Sequence, residues 1–314
     1  MKDKYIELRI NRDFGDILTT YFDFLKQNIK KFTNVFLSYN GVFLVGLLIT
    51  SYLLVSGFIG MISDNSNLLY GVSSGQSNED TYWIYIAAGG ILFFLIFLMV
   101  AGLNFSLSSS YMIKYEEHRG LTFEKTEVWA HTKNKFGNTV VFVLLLIPIY
   151  ILFFIASVIF AFIPLLGMFA QYIIQFFITA WIGVSFFSMM SQNKGVTDAF
   201  GEGWSLVINN FWRSIGVNFI LGLLNGLLFF IILIIPGILI GIYTFHVVEN
   251  NVDVGASIVS TVVYTVGLCL MLILMVYAQC LSQFVNGILF YALHEKTYNV
   301  NTRSKIEQIG QSDQ

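Results

Sequence analysis

The polar side chains that interrupt the apolar runs of this 314-residue sequence are mostly amides at helical spacing. Gln279, Gln283 and Asn286 follow an i, i+4, i+7 pattern, and Asn218 and Asn225 recur seven residues apart. Each set therefore shares one face of a helix. An amide that faces lipid leaves its hydrogen bonds unmade, which costs several kcal/mol. We expect these side chains to point into the protein.

Two further polar sets have the same character. Asn104, Ser108 and Tyr111 share a face of one apolar segment, and Gln171 and Gln175 share a face of another. Such side chains commonly join helices through hydrogen bonds, which is the favoured interpretation. The alternative that stays open is a polar groove for a small neutral solute or a lipid headgroup.

Acid–base, metal and nucleophilic chemistry have weaker support. A metal or catalytic pairing of His118 and His131 with Glu116–Glu117 or Glu127 is conceivable, but solvated loop residues explain the same pattern. The run Ser108–Ser110 has no histidine base nearby in sequence. No Asp, Glu, Lys, Arg or His lies in the middle of the apolar segments, which argues against a proton-coupled pump. The sequence thus predicts no catalytic residue, no cofactor and no metal.

The composition indicates an integral membrane protein. Hydrophobic residues make up 56% of the chain and charged residues 11%, with a mean hydropathy of +0.72, whereas about a quarter of residues are charged in soluble domains. There is room for six spans of about 20 residues with short loops. Cys269 and Cys280 fall in one predicted helix, roughly 16 Å apart along its axis, so they cannot pair with each other.

The positioning elements follow an internal repeat. The segment Lys194–Ile215 has a copy 75 positions earlier, in which Arg119, Gly120, Leu121, Thr122, Trp129 and Phe136 match Lys194, Gly195, Val196, Thr197, Trp204 and Phe211. A weaker copy keeps the spacing with Arg12, Phe14, Phe22 and Ile29. Each copy precedes a long apolar run. The pattern predicts three units, each an interfacial helix that leads into two spans.

Apolar stripes at helical spacing indicate amphipathic helices that lie in a membrane surface. The stripes are Leu18, Phe22, Leu25, Ile29 and Phe32 in the first copy, and Trp204, Val207, Ile208, Phe211 and Ile215 in the third. In the middle copy, Thr122 is expected to be the N-cap, with Glu124 in the first turn. Phe22, Trp129, Trp204 and Trp212 are expected to anchor these helices at headgroup depth.

The predicted fold class is all-α integral membrane, with six transmembrane helices as three hairpins. We expect a charged lead-in at 1–11, a membrane domain at 12–293 with repeats at about 12–113, 114–190 and 194–293, and a polar, disordered tail at 294–314. The spans are expected at about 41–62, 82–113, two within 139–190 that turn at Pro164 and Gly167, 216–235 ended or kinked at Pro236, and 255–291. The pairs Gly222–Gly226 and Gly237–Gly241 favour close helix packing.

The distribution of charge predicts the orientation. All 17 Lys and Arg residues fall in the N-terminal segment, in 114–135, in 194–213 or after Leu293, and none falls in the other three loops. The positive-inside rule makes the basic segments and both termini cytoplasmic.

The repeated basic-Gly-apolar-Thr, Trp and Phe pattern, the "IPLLG" and "IPGIL" turns and the segment "DAFGEGWSLVINNFWRSIGV" resemble a known family. It is the six-helix membrane domain that precedes the catalytic domain in some bacterial glycerophosphodiester phosphodiesterases, together with its stand-alone relatives. The resemblance covers residues 12–295 and implies a bacterial cytoplasmic-membrane protein with interfacial helices. It carries over no catalytic residue, because no segment matches the hydrolase domain.

We therefore expect a non-enzymatic scaffold or accessory subunit of a membrane assembly. The expected partners are membrane lipids, with other membrane or cytoplasmic proteins as a second class, and no nucleic acid. The alternative is a channel or carrier for a small neutral solute or lipid. It would be lined by the amides of Asn104, Gln171, Gln175, Asn218, Asn225, Gln279, Gln283 and Asn286.

Overall fold

The structure is a computed structural model that describes residues 5–69, 79–163, 166–192, 194–250 and 257–312. In these residues the chain forms nine α-helices and no strand. The helices are α1 (Phe14–Leu69), α2 (Glu79–Glu117), α3 (Lys125–Asn134), α4 (Phe136–Ala161), α5 (Leu166–Ser191), α6 (Val196–Ile208), α7 (Phe211–Glu249), α8 (Ile258–Tyr298) and α9 (Val300–Ser312).

Six stretches of helix are long and apolar enough to cross a membrane, which confirms the predicted class of multi-pass, all-helical membrane protein. They are Phe14–Ile62, Asp80–Glu117, Phe136–Phe160, Leu166–Ser191, Phe211–Ile234 and Ile258–Tyr298. The three short helices α3, α6 and α9 are separate from these six.

The N-terminal surface helix and the first span were expected as two elements, but they form one. Helix α1 runs without a break through Asn40 and Gly41. A single glycine in a helix costs only about 1 kcal/mol relative to alanine, and no proline interrupts the segment. Continuous helical hydrogen bonding therefore wins at this junction.

Glycine and proline end fewer elements than expected. Helix α7 continues through Pro236 to Glu249. Pro164 lies outside the described residues, and Gly167 sits in the first turn of α5, where its N–H donates to Ile163 O at 2.9 Å. A Cβ added at Gly226, Gly237 or Gly241 would meet no atom within 4 Å among the described residues. Within the described part of the chain, no other helix therefore packs closely on these three glycines.

The C-terminal tail, expected to be disordered, is helical through Ser312. Helix α8 continues past His294 to Tyr298, and the chain turns at Asn299, whose φ is +51°. The buried carboxylate of Glu295 accepts hydrogen bonds from the N–H groups of Asn301 at 2.9 Å and Thr302 at 3.0 Å. Glu295 thus satisfies the free backbone donors at the start of α9, which the polar composition of the tail does not reveal.

The contacts divide the chain into two compact units. Unit 1 contains the described residues of 1–36, 102–225 and 279–314, and unit 2 those of 37–101 and 226–278. Unit 1 has an aromatic core in which the buried ring of Phe284 lies 5.4 Å from Phe24, 4.6 Å from Phe32 and 6.1 Å from Tyr111 between ring centroids. These rings bring α1, α2 and α8 together.

The apolar stripe of α1 that was predicted to lie in the membrane surface is mostly exposed or half-buried, and Phe32 is its one buried member. The side chains that unit 1 buries are Ile17, Tyr21, Phe24, Asn28 and Phe32, whereas Leu18, Phe22, Leu25 and Ile29 are exposed or half-buried. The two stripes lie side by side on the helix, and both are largely apolar. Periodicity alone cannot tell which of them packs against protein.

The N-terminal segment is tied to the rest of unit 1 by polar contacts. Tyr5 Oη donates to Glu116 at 2.5 Å, and Arg9 pairs with the same carboxylate at 3.4 Å. Glu7 pairs with Lys305 of α9 at 2.5 Å and accepts from the side chain of Asn301 at 2.8 Å. Residues near both ends of the chain therefore meet in unit 1.

The middle copy of the repeat begins with a backbone turn held by α1. Arg119 and Gly120 have φ of +48° and +140°. Lys31 donates to Leu121 O at 2.8 Å and to Phe123 O, and its ammonium lies 3.7 Å from the centre of the Phe123 ring. Helix α3 then starts with Glu124 as its N-cap, in a capping box with Glu127. Thr122 was expected in the capping position, so that prediction is wrong.

Unit 2 contains two pairs of helical segments in contact. A Cβ at Gly57 would lie 2.6 Å from Ile86, and one at Gly46 would lie 2.8 Å from Ile96, so α1 and α2 approach closely through glycines. In the other pair, Tyr243 of α7 and Ser260 of α8 are joined by a hydrogen bond of 2.9 Å.

Candidate functional site

The eight amides that were candidates for a polar core or pathway occupy different environments. Asn104, Asn218, Gln283 and Asn286 are buried, whereas Gln171, Asn225 and Gln279 are half-buried. The side chain of Gln175 is exposed, against the expectation that it points inward. Gln175 lies in the first half of α5, where Gly167 is the one buried residue among those described. The other buried residues of this helix begin at Ala180.

The centre of the polar core lies where α8 meets α2 and α5. Gln283 Nε2 donates to Ser109 Oγ at 2.8 Å and to Gly183 O at 3.5 Å. The amide of Asn286 packs directly on Gly183, where an added Cβ would lie 2.0 Å from Asn286 Nδ2. These contacts join three helices through hydroxyl, amide and backbone groups.

The remaining amides make separate local contacts. Asn218 donates to Ser214 O of its own helix at 3.1 Å, and Gln171 donates to Ser157 O at 2.7 Å, which links α5 to α4. Asn225 Oδ1 accepts from Tyr21 Oη at 2.7 Å. For Asn104 the contact is made by the backbone, whose carbonyl oxygen lies 4.0 Å from Cys280 Sγ. The structure therefore brings Gln283 and Asn286 together around Gly183 and places these four elsewhere.

Sequence reasoning missed a buried carboxylate. Glu202 of α6 is only 8% exposed, and it was not singled out from the sequence. Ser188 Oγ donates to Glu202 Oε2, and Lys194 Nζ lies 3.0 Å from the same oxygen. Glu202 Oε1 lies 3.8 Å from His294 Nε2. This polar cluster connects the C-terminal parts of α5 and α8 to the middle of α6.

The signal for Glu202 is present in the sequence at helical spacing. The residues that α6 buries are Val196, Ala199, Glu202, Gly203, Leu206 and Val207. Glu202 thus lies on the same face as small and apolar residues. A Cβ on Gly203 would lie 2.0 Å from Ser185 Oγ and 2.8 Å from Ser185 Cα, so α6 touches the backbone of α5 here. A carboxylate on that face must be buried.

The structure also supplies a histidine partner for the serine run. Ser110 Oγ lies 2.9 Å from His131 Nδ1 and accepts a hydrogen bond from Thr132 Oγ1 at 2.9 Å. Burial lowers the pKa of His131, and the nearby charges of Lys114 and Lys135 lower that pKa further. The lowered pKa favours the neutral imidazole, whose Nδ1 can accept a hydrogen bond from the Ser110 hydroxyl. Because Ser110 is fully buried, the pair joins α2 to α3 within the core.

Of the groups considered together with His118 and His131, Glu127 pairs with His118, whereas His131 contacts Ser110. His118 Nε2 lies 2.9 Å from Glu127 Oε2. Backbone hydrogen bonding from Glu124 and the His118 partner hold the pKa of Glu127 below its usual value. Among the described residues, no group of three or more His, Cys, Asp and Glu side chains could hold a metal ion.

The aromatic side chains expected as interfacial anchors have unequal exposure. Trp212 is 74% exposed and Trp204 46% exposed, and Phe22 is exposed as well. Trp129 of α3 is half-buried. The ring of Trp204 also lies 5.2 Å from the rings of both Phe177 and Trp181 in α5, which fixes its direction.

The chain matches no protein-family model, and no curated protein and no solved structure is significantly similar to it.

Proposed function

We propose that the chain is a non-enzymatic scaffold or accessory subunit of a membrane assembly. The observation that carries this proposal is the large apolar surface that its spans leave uncovered. In the most apolar 18-residue stretch of each helix, 6% of the residues of α4 and 17% of those of α7 are buried, against 56% of those of α5. Such surface must be covered by lipid or by helices of partner subunits.

The use of polar groups supports the same proposal. Hydrogen bonds between helices of unit 1 use the amide of Gln283 and the hydroxyls of Ser109 and Ser110. Polar side chains that join helices stabilise an architecture and do not need a substrate. The apolar outer surfaces of α4 and α7 are then the parts of the molecule that can meet a partner.

We place the protein in the bacterial cytoplasmic membrane with both termini in the cytoplasm. All 17 Lys and Arg residues belong to the ranges of unit 1, and the ranges of unit 2 contain none. This asymmetry supports a cytoplasmic location for the cationic side chains of unit 1 under the positive-inside rule. The resemblance to the six-helix membrane domain implies the same placement.

We also propose that the repeated segments lie in the membrane surface as three-faced helices. On α6, Ala199 and Leu206 face the protein, Trp204 and Ile208 form an exposed apolar strip, and Asp198 is exposed beyond it. The start of α1 has the same order of faces. A helix with one apolar side toward protein, one toward lipid and a polar side toward water suits the headgroup region. This favours the threefold arrangement of surface helix and paired spans.

The scaffold proposal predicts a protein partner at the outer surface of α4. A photo-crosslinking phenylalanine analogue at Phe154, which is 69% exposed, is expected to give a discrete adduct in intact cells. The mass of that adduct should differ from twice the 35.6 kDa of the chain. The control is the same analogue at Phe187 of α5, which is fully buried and should give no adduct with another protein.

Lipid adducts alone at Phe154, or adducts with only a second copy of this chain, would contradict the accessory role. Blue-native electrophoresis of the same membranes gives an independent check, because an accessory subunit migrates with a larger assembly. Migration as an isolated chain after mild solubilisation would count against the proposal.

One observation favours the second candidate function, a channel or carrier for a small neutral solute. Along one face of α8, the side-chain oxygens of Gln279, Gln283 and Asn286 accept no hydrogen bond from the described residues. Buried acceptors of this kind can serve a passing polar solute or water.

The transport alternative predicts solute flux in proteoliposomes that depends on this face. Gln283→Leu is expected to reduce the flux of a small neutral solute such as glycerol by about tenfold, the kinetic equivalent of one lost hydrogen bond. Gln175→Leu changes an exposed amide on α5 and should leave the flux unchanged. Proteoliposomes with no flux above protein-free vesicles would remove this alternative.

A further inference from the structure

We propose that Glu202 and His294 form a proton-binding site at the end of α8, in which protonation moves the hydrogen bond of His294 from Gln192 to Glu202. The ligand of this site is a proton, and its binding changes which segment of unit 1 holds the end of α8. This site is independent of the scaffold and transport proposals.

The carboxylate of Glu202 has one satisfied oxygen and one that accepts no hydrogen bond. Oε2 is held by the hydroxyl of Ser188 and by the ammonium of Lys194 at 3.0 Å. Oε1 is buried and accepts no hydrogen bond from any described residue. A buried acceptor without a donor costs free energy, so Oε1 is a strong site for any donor that can reach it.

His294 can supply that donor. Its Nε2 lies 3.8 Å from Glu202 Oε1 and 2.9 Å from Gln192 Nε2. An amide nitrogen only donates hydrogen bonds. His294 Nε2 is therefore the acceptor in this contact, and the imidazole is neutral with its proton on Nδ1.

Protonation of Nε2 removes this contact. An N–H at Nε2 cannot accept a hydrogen bond from the amide of Gln192, and it faces Glu202 Oε1 less than one ångström beyond hydrogen-bond range. A small rotation of the imidazole closes that gap and forms a charge-assisted hydrogen bond to the carboxylate. The proton comes from solvent, and no covalent bond other than the new N–H is formed.

Burial lowers the pKa of His294 below its usual value, and the charged groups around the imidazole act on that pKa in both directions. Lys194, before α6, and Arg9, in the N-terminal segment, oppose a second positive charge, while Glu202 and Glu295 favour it. Arg9 is already paired with Glu116, and Glu295 accepts the backbone N–H groups at the start of α9. Glu202 is thus the carboxylate with an oxygen to spare.

Two aromatic side chains of the same helix lie next to the imidazole of His294. The ring of Phe290 lies 5.3 Å and that of Tyr298 4.7 Å from the imidazole, both on α8. They flank the imidazole along its own helix. Protonation then ties α8 to α6 through Glu202, whereas the neutral form ties α8 to the segment that follows α5 through Gln192.

The middle copy of the repeat contains an internal reference for this pair. Glu127 lies 75 positions before Glu202, and it faces His118 with Oε2 2.9 Å from Nε2. That pair is already at hydrogen-bond distance and lies on the exposed surface. The two pairs can therefore be titrated side by side in one protein, and each provides a control for the other.

The experiment is a side-chain NMR titration of the four histidines in the full-length chain, labelled at Cε1, in detergent micelles over about pH 5–8. His294→Gln identifies the His294 resonance. Glu202→Gln is expected to lower the titration midpoint of His294 by about one pH unit or more, because the attractive carboxylate is lost. Glu127→Gln is the matched control, which should shift the midpoint of His118 and leave that of His294 in place.

A second variant keeps the test decisive if Glu202→Gln does not fold. Lys194 is partly exposed, and Lys194→Gln removes one repulsive charge, so it should raise the His294 midpoint by about half a pH unit. A His294 midpoint that stays within about 0.2 pH units in either folded variant would overturn the proposal, as would equal responses of His294 to Glu202→Gln and Glu127→Gln.

Discussion

Phe284→Ala is expected to lower the free energy of unfolding by about 3–5 kcal/mol, the largest single-residue effect in this chain. The ring is fully buried and packs against Phe24, Phe32 and Tyr111 with centroid distances of 4.6–6.1 Å. The substitution leaves a cavity shared by α1, α2 and α8. Those helices cannot close on it freely, because Gln283 beside Phe284 holds α8 to Ser109.

The measurement uses the two buried cysteines, Cys269 and Cys280. A thiol-reactive fluorescent dye labels them only when the surrounding helices open, so heating in mild detergent reports unfolding. Phe154→Ala is the control, because that ring lies on the outer face of α4 and should change stability by about 0.5 kcal/mol or less. Equal losses in the two variants would show that detergent-exposed and core rings are equivalent, against this structure.

Gly203→Ala is expected to destabilise unit 1 by about 1–3 kcal/mol or more through overpacking. An added Cβ would lie 2.0 Å from Ser185 Oγ and 2.8 Å from both Cα and N of Ser185. The side chain of Ser185 could rotate away, but its backbone cannot move without shifting α5. Helix α6 would be displaced, and with it the Glu202 carboxylate next to Gly203.

Gly201→Ala provides a matched control on the same helix. A Cβ at Gly201 meets nothing within 4 Å among the described residues, and alanine is the better helix former by about 1 kcal/mol. The same thiol assay should therefore show an unchanged or higher melting temperature for Gly201→Ala and a lower one for Gly203→Ala. A loss of stability in both variants would indicate that flexibility of α6, and not its close approach to α5, requires the glycines.

The spans and the helical class were within reach of the sequence. Long apolar runs with no central charge can satisfy their backbone in a membrane only as helices or closed barrels, and the six apolar stretches here have the length of helical spans. The structure has those six helices. Cytoplasmic orientation and the threefold repeat stay predictions that rest on charge and on the 75-residue spacing.

The ends of the elements were less predictable, because they depend on contacts from distant parts of the chain. Helix α9 begins with N–H groups held by Glu295, and the N-terminal segment is ordered by Glu116 and Lys305. Polar composition suggested a disordered tail. These partners are far apart in sequence, so no local pattern reveals them.

The amphipathic stripes show where periodicity stops being informative in a membrane protein. In water an apolar stripe packs against protein, but in a membrane it can equally face lipid. On α1 the expected stripe with Phe22 is the exposed one, and the neighbouring stripe with Tyr21 and Phe24 is the core. On α6, Trp204 of the predicted apolar stripe faces outward, whereas Glu202 faces the core.

The amino-acid sequence by itself determined which segments can enter a membrane, because transfer of apolar side chains and loop charges depends only on residue type and local order. The tertiary structure alone decided which of two adjacent apolar faces packs against protein. It also decided which amides meet across helices and that a charged residue, Glu202, is buried beside Ser188, Lys194 and His294. Those outcomes depend on close approach between helices, such as α6 on α5 at Gly203, and close approach is a property of the packed chain.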